Sequence, residues 1–342
     1  MMAPELCFSL VFRFVTLEMH RSRGSNLAKH IFAADLGGTK CSAGVIDGKG
    51  RIISCRTVPV DLASPSGPIL QISQLAQELA GGKSPARAFT AAAVAVPGLV
   101  RRDATVWAPN LPGWKRMPLA RRLRRLLGIP VVVESDRIAA LLGECWKGAG
   151  RGKSDVILLM IGTGIGAGIL CGGRVIRGAN ELSGCAGWLT VTREDMAEAP
   201  GRGELESIAA GPGIAQAAGE RLRNGEESSL SELDPKEITA FDVAAAARRG
   251  DRMARDIFHR SGRYLGFGVA NMVSLFNPEI VVIGGGMSAA ADLFLDSMKK
   301  AMFERAQPLA AGRVRITVSK LGNTVNLLGC ARLAWEQAAG RQ

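Results

Sequence analysis

Asp35, Gly37, Gly38 and Thr39 stand together inside the stretch Phe32–Ile46 (FAADLGGTKCSAGVI). Two adjacent glycines let backbone N–H groups converge on an anion with no Cβ in the way. Thr39 adds a hydroxyl donor, and Asp35 supplies a carboxylate able to hold a hydrated Mg²⁺. The chemistry these types support is binding of a nucleotide phosphate. Apolar residues precede Asp35 and an alternating run, Cys41 to Ile46, follows the turn, so the stretch reads as strand, tight turn, strand. An ordinary hairpin needs the same Gly-Gly turn, and this stretch alone does not separate the two readings.

A second copy of the pattern tips the reading toward phosphate. Asp155–Ile161 is an apolar strand, Gly162-Thr163-Gly164-Ile165-Gly166 a loop, and Ala167–Cys171 leads to the turn Gly172-Gly173 and a short strand at Arg174–Ile176. Twice the chain runs strand, Gly-Thr loop, strand. Internal similarity of this kind points to a duplicated nucleotide-binding fold with one phosphate loop from each half.

The elements between these loops must place the rest of a site. Val131–Glu134 reads as a strand, with Ser135 capping a helix in which Ile138, Leu141, Leu142 and Cys145 share a face. Asp136 then lies in the first helical turn beyond a strand's carboxyl end, the edge where ligands sit in open α/β sheets. Helix dipoles alone also favour Asp there. Ala91–Val96 is a buried strand stopping at Pro97-Gly98, where a ligand can approach, and Val106–Trp114 is too Pro-rich for regular structure, either a functional segment or a surface loop. Gly148–Ser154 departs from a P-loop, because Lys147 takes the first glycine position and a strand follows, and it reads as a linker.

Helices are expected at Ile69–Leu79, Arg121–Leu127, Glu204–Ala209, Gly213–Arg223, Phe241–Arg248 and Arg252–Phe276, the last broken by Gly262, Gly266 and Gly268. Arg51–Thr57 completes a meander with the first hairpin. Glu279–Ile283 is a buried strand, after which Gly284-Gly285-Gly286 opens a helix over Ala289–Phe303. That unit matches GxGxxA, so a dinucleotide-binding site is a rival. Too few βαβ units remain after it, and the glycines better suit a nucleoside lying flat on the backbone.

Composition bounds the class. The 342 residues suffice for two domains, and 47% hydrophobic and 22% charged content with 42 glycines describes a loop-rich globular enzyme. A net charge of +12 raises nucleic-acid binding, but the densest basic cluster, Arg121, Arg122, Arg124 and Arg125, shares a helix with the apolar face Leu119, Leu123, Leu126 and Leu127, and reads as solvated. Seven scattered cysteines without a CxxC pair fit reduced thiols in a cytoplasm, and three isolated histidines exclude a His-rich metal site. Cys7–Val15 is apolar but short, and its basic residues follow instead of preceding it, the wrong order for a signal peptide. Residues 1–29 are expected to be a poorly ordered extension, with a peripheral membrane anchor as the lesser alternative; no run approaches the ~20 apolar residues that span a bilayer.

Taken together, from about His30 to Trp335, the motifs resemble those of the ROK sugar kinases, a branch of the actin/Hsp70/hexokinase superfold. Phe32–Lys40 is similar to that family's first phosphate loop, Val94–Gly98 to its VPG turn, and Asn110–Trp114 to its NLPGW segment. Val131–Glu144 is similar to the strand and helix bearing the catalytic Asp. Met160–Gly178 matches the second phosphate loop, Asn277–Met287 the adenosine-binding strand and glycines, and Leu321–Ala334 the closing helix.

The resemblance implies a two-lobed α/β fold with a duplicated mixed sheet. Its N-terminal lobe would comprise 30–146 with a C-terminal helix at 325–339, and its C-terminal lobe 147–324. It implies ATP and Mg²⁺ as cofactors, with Asp136 as general base toward a sugar hydroxyl. Asp35 would hold Mg²⁺ through water, while Gly37, Gly38, Thr39, Lys40, Gly162, Thr163, Gly164 and Gly166 take the phosphates and Gly284, Gly285 and Gly286 the adenosine. The sugar would meet Pro97, Gly98, Asn110, Gly113, Ser135, Asp136, Cys185, Trp188 and Glu206. The implied partner is a small sugar-like molecule, with neither nucleic acid nor membrane, and a homodimer is implied by the resemblance alone.

The chain departs from the family on the sugar side. Ser135 stands where the family has Asn, and the sugar-gripping ExGH motif falls on Cys185-Ala186-Gly187-Trp188, without its Glu or His. Ala199–Glu206 lacks the family's zinc-binding cysteines, so no structural zinc is expected, and only Glu206 keeps its type. Losing a carboxylate and an imidazole that bracket adjacent hydroxyls should change which substrate is accepted. Trp188 either stacks on a sugar or fills the core, and Glu181 and Glu204 are either replacement acceptors or surface residues. Three other readings remain: a transcriptional repressor, for which about thirty residues before the first loop are too few to form a DNA-binding domain; a pseudokinase; and a dehydrogenase.

Overall fold

The computed structural model describes residues 30–192 and 201–340. The expected extension over 1–29 lies outside them, as does the start of Ala199–Glu206. The alternating run around the first turn forms strands β1 (His30–Leu36) and β2 (Lys40–Asp47), and β3 (Ile52–Pro59) completes the meander. Helix α1 (Gly67–Leu79), with proline in its first turn, and the short α2 (Pro85–Ala88) lead to the wholly buried β4 (Ala91–Val96). The segment expected to be irregular, Val106–Trp114, contributes β6 (Val106–Trp107) to a small ribbon with β5 (Leu99–Val100), because its first two residues precede Pro109 and Pro112 and keep their amides free to pair. Then come α3 (Leu119–Leu127), β7 (Val131–Ser135) and α4 (Asp136–Lys147).

The second half repeats the plan. Strands β8 (Val156–Ile161), β9 (Ile165–Cys171) and β10 (Arg174–Val175) form a meander. Helices α5 (Glu204–Ala209), α6 (Gly211–Arg223), α7 (Ala240–Arg248) and α8 (Arg252–Phe276) follow. The chain closes through β11 (Ile280–Gly284), α9 (Ala291–Arg305), the short α10 (Pro308–Ala311), β12 (Arg315–Val318) and α11 (Val325–Ala338).

The two sheets have one topology. The first is ordered β3-β2-β1-β4-β7 and the second β10-β9-β8-β11-β12. In each, an antiparallel meander is extended on its inner side by two parallel strands. This is the duplicated, two-lobed α/β fold of the actin and hexokinase type. It also removes the dinucleotide rival, since β11 lies between β8 and β12 in a mixed sheet and only one crossover, through α9, surrounds its glycines.

Three local expectations are corrected. Helix α8 is unbroken: Gly262, Gly266 and Gly268 are where α9 and α5 come so close that a Cβ would overlap Phe294, Met298 and Leu205. The glycines after β11 enter a 3₁₀ turn (Gly286–Ala290) before α9 begins. Leu126 of α3 is exposed, whereas Leu119, Leu123 and Leu127 are buried.

Helices α4 and α11 cross between the sheets. Ala139 of α4 joins Leu327, Cys330 and Ala334 of α11 under β1 and β4. Ala140 and Leu141, on the other side of α4, pack under β8 and β11. Gly143 faces the backbone of Val325, and Gly329 faces that of Ala139, so the helix backbones touch with no room for a Cβ. This junction holds the first turn of α4, and therefore Asp136, between the lobes. Among the described residues no helix is long and apolar enough to cross a membrane, and the six cysteines are free thiols.

Candidate active site

Five strand ends meet at this junction, all at the carboxyl edges of parallel strands or at meander turns. They are the ends of β1 (Asp35), β4 (Pro97-Gly98), β7 (Ser135-Asp136), β8 (Gly162-Thr163-Gly164) and β11 (Gly284-Gly285-Gly286).

In the β1–β2 turn the amide of Gly37 donates to the carbonyl of Lys40 at 2.9 Å, closing the hairpin. The amides of Gly38 and Thr39 donate to no group of the chain among the described residues. In the β8–β9 turn Gly162 donates to Gly164 at 2.9 Å, and the amides of Thr163 and Gly164 are likewise unused. Unpaired amides on a turn form a concavity suited to an anion. The space is real: a Cβ on Gly38 or Gly162 would have its nearest neighbour 3.9 Å away, and a Cβ on Gly286 would have none within 4 Å. The second turn is braced from behind. Gly211, at the start of α6, donates to the Gly162 carbonyl at 2.8 Å, which brings that helix's N-terminus beneath the loop.

The two candidate carboxylates share one environment. Asp35 is hydrogen-bonded by Asn326 of α11, and burial, together with the charge of Asp136 and against that of Lys40, pushes its carboxyl up to about 6. Asp136 is raised too, by burial, with the neighbouring Arg137 acting in the opposite sense. Its Oδ1 accepts the amide of Arg137 at 2.8 Å. Asn326 Oδ1 is buried without a partner, and so is the hydroxyl of Ser135, which is 3% exposed. Ser135 occupies the N-cap position as expected but makes no side-chain cap, so its hydroxyl remains unpaired beside Asp136. A water-clad Mg²⁺ fits here: a raised carboxylate, an orphaned amide oxygen and two sets of free N–H groups are the donors that such an ion and its phosphates require.

The sugar-side residues divide. Glu206, from α5, accepts the amide of Ile165 at 2.8 Å and lies against Gly164 and Gly187. Cys185 donates to the carbonyl of Leu182 at 3.1 Å and receives Nη1 of Arg137 at 3.5 Å. Trp188 is 61% exposed, which excludes the core-filling alternative. Asn110 is exposed with its Cβ 3.9 Å from where one on Gly38 would stand, so it borders the first turn. Gly98 has φ +110° and lies too close to the Trp107 carbonyl for any side chain. A Cβ on Gly113 would come within 2.9 Å of the Pro65 ring, next to Trp114, whose Nε1 donates to the Pro65 carbonyl. Packing accounts for both glycines, and the structure does not bring Gly113 to the carboxylates. Glu181 and Glu204 are neither surface residues nor free acceptors. Glu181 pairs with Arg177 and Arg102, and Glu204 accepts the amides of Val191 and Thr192.

Four residues of the site escaped the sequence reading. Glu134 divides its carboxylate between the Ser135 amide (2.8 Å) and Arg177 (2.6 Å), just past β10 of the second sheet, tying the end of β7, from which α4 and Asp136 start, to the other half of the chain. Asn326 was concealed in an apolar helix, where a lone amide was the one available signal. Arg137, beside Asp136, points its head at Cys185 while its stem lies on Gly166, 2.6 Å from where a Cβ would stand. Among the described residues no group of three or more His, Cys, Asp or Glu is placed to hold a metal.

The chain resembles known proteins in sequence and in fold. The chain is 32% identical to a glucokinase of Halalkalibacterium halodurans over 314 residues, covering 89% of this chain and 94% of that one. It is 30% identical to a putative xylose repressor of a Caldicellulosiruptor species, covering 94% and 80%. The crystal structure of a ROK family glucokinase from Streptomyces griseus in complex with glucose and AMPPNP superposes with a TM-score of 0.76 at 31% identity, covering 90% and 99%. A sequence model of the ROK family matches residues 31–337. With the duplicated sheets, the paired turns and the acid at their junction all in place, the chain belongs to the ROK family.

Proposed function

We propose that this protein is an ATP- and Mg²⁺-dependent kinase that phosphorylates a hydroxyl of a sugar or sugar derivative. The observation that carries the reading is the pair of turns whose amides at Gly38, Thr39, Thr163 and Gly164 go unused, set at the same strand ends as the buried carboxylates Asp35 and Asp136, the second close enough for its charge to act on the first. Phosphoryl transfer requires mainly positioning and charge neutralisation. The turns at Gly37, Gly38, Thr39, Lys40 and at Gly162, Thr163, Gly164, Gly166 would cradle the phosphates. Gly284, Gly285 and Gly286 would bed the adenosine, and Asp35 would hold Mg²⁺ through water. The ion, when bound, offsets phosphate charge.

Asp136 accepts the proton of the attacking hydroxyl as the oxygen–phosphorus bond forms and the bond to ADP breaks. Its burial keeps its pKa above the ordinary carboxylate range, and a base must be ionised. Activity therefore falls on acidification at a higher pH than for an exposed Asp. Pro97, Gly98, Asn110, Ser135, Cys185, Trp188 and Glu206 would form the acceptor wall. The relatives named glucokinase support the reaction class. Sugar-stimulated ADP release that disappears in Asp136→Ala tests the proposal, and ATP binding without turnover on any hexose, N-acetylhexosamine, polyol or acidic sugar would overturn it.

The repressor among the relatives, with the missing Glu and His, favours one alternative, a non-catalytic sugar or nucleotide sensor. In that case Asp136→Ala would leave ligand affinity intact with no turnover to lose.

A further inference from the structure

Arg137 is the unusual charge in this cleft. The remaining ion pairs around it are closed: Glu134 and Glu181 are taken by Arg177, and Arg102 by Glu181. Glu206 spends its Oε2 on the Ile165 amide. Arg137 is half-buried and has no carboxylate within ion-pair distance among the described residues, its guanidinium meeting only the thiol of Cys185 at 3.5 Å. Asp136 lowers the local potential but does not pair with it.

A partly desolvated cation whose one polar contact is a cysteine sulfur is a costly arrangement unless an anion completes it. Arginine suits planar, two-pronged recognition of a carboxylate or phosphate. The stem of Arg137 runs over Gly166, and its head turns away from the phosphate turn toward Cys185 on the acceptor wall. Building on the kinase reading above, we propose that Arg137 is a specificity-determining residue that selects an anionic acceptor, a sugar-sized polyol bearing a carboxylate or a phosphate, and that its guanidinium grips that group beside Cys185.

The test is a coupled ADP-release assay on the full chain at a pH where both carboxylates are ionised. D-glucuronate, D-gluconate and D-glucose 1-phosphate are compared with D-glucose and D-mannose, and calorimetric binding of the same compounds is measured without ATP. Arg137→Met keeps the stem on Gly166, and Arg137→Lys keeps the charge. The expected result is a preference of about a hundredfold in kcat/KM for at least one acidic sugar. Arg137→Met should collapse that preference to within about threefold through KM, and Arg137→Lys should restore part of it. The carboxylates and the phosphate ester separate the two anion classes.

Wild-type preference for the neutral sugars, or a preference that Arg137→Met leaves in place, overturns the proposal. An equal loss on every acceptor with KM unchanged overturns it as well, since the guanidinium would then act on the transferring phosphoryl group. If no sugar turns over, the kinase reading fails, and calorimetry decides this inference separately. Acid-sugar binding abolished by Arg137→Met upholds it, and absence of such binding refutes it.

Discussion

The two walls of the cleft are made of different material. The wall proposed to face the nucleotide is backbone: unused amides at Gly38, Thr39, Thr163 and Gly164, with open space where a Cβ would be at Gly38, Gly162 and Gly286. The wall proposed to face the acceptor is side chain: Ser135, Arg137, Cys185, Trp188 and Glu206. Backbone recognition depends on topology and a few glycines, and the duplicated sheet fixes it twice. Side-chain recognition changes one residue at a time, with no cost to the fold. The sequence departures from the ROK motifs noted above, at Ser135, Cys185 and Trp188, all fall on the second wall.

Asp136 stands where the walls meet, and its removal gives the largest effect. Asp136→Asn should lower kcat by about a thousandfold, the scale of general-base catalysis, while ATP affinity stays within about twofold. Loss of nucleotide binding in this variant would show that the walls are not separable. The nucleotide wall is tested by Gly38→Ala. Its φ is not in the left-handed region and its nearest neighbour would be 3.9 Å off, so the fold tolerates the methyl group. That methyl occupies the anion's space instead. Affinity for ATP should fall about thirtyfold, about 2 kcal/mol, with the melting temperature unchanged.

On the acceptor wall the informative change is Cys185→Glu with Trp188→His. It restores a carboxylate and an imidazole that bracket hydroxyls and gives Arg137 an intramolecular partner. The rate constant kcat/KM for D-glucose should rise about tenfold, with KM for ATP unaltered. A fall for glucose, or a matching change in the nucleotide term, would mean that the second wall does not vary independently of the first.

The same division explains what could be read from the sequence. Strands, turns and the repeated Gly-Thr loops were legible because glycine placement and alternating hydrophobicity encode backbone paths directly. Asp136 was legible as the acid just past a strand end. Arg137 and Glu134 were printed beside it, yet their roles depend on Cys185 and Arg177, more than forty positions away in the other lobe. The glycines of α8 misled for the converse reason. In isolation they predict a break, but their use is to let α9 and α5 approach, a tertiary fact. Ser135 was read as a cap from its type, whereas its hydroxyl caps nothing.

The smallest expected effect concerns stability, and it sets function against folding at Asp35. Its carboxyl, raised from 3.8 to about 6 chiefly by burial, binds its proton more tightly in the folded than in the unfolded chain. The ionised form is therefore the one the fold disfavours, so the folded protein loses stability as pH rises from 3.8 toward about 6, and the whole penalty is present above that. Asp35→Asn removes the penalty. Because the site is partly open to solvent, the gain is about 1–2 kcal/mol, less than the full shift would give. Calorimetric unfolding should show Asp35→Asn melting higher than the wild type above about pH 6, with the difference vanishing as pH falls to 3.8. Activity should be lost at every pH, since the carboxylate that destabilises the fold is the one proposed to hold Mg²⁺. Equal melting temperatures at high pH would mean that Asp35 is solvated like a surface acid. The nucleotide wall would then carry no stored electrostatic cost for its ligand to relieve.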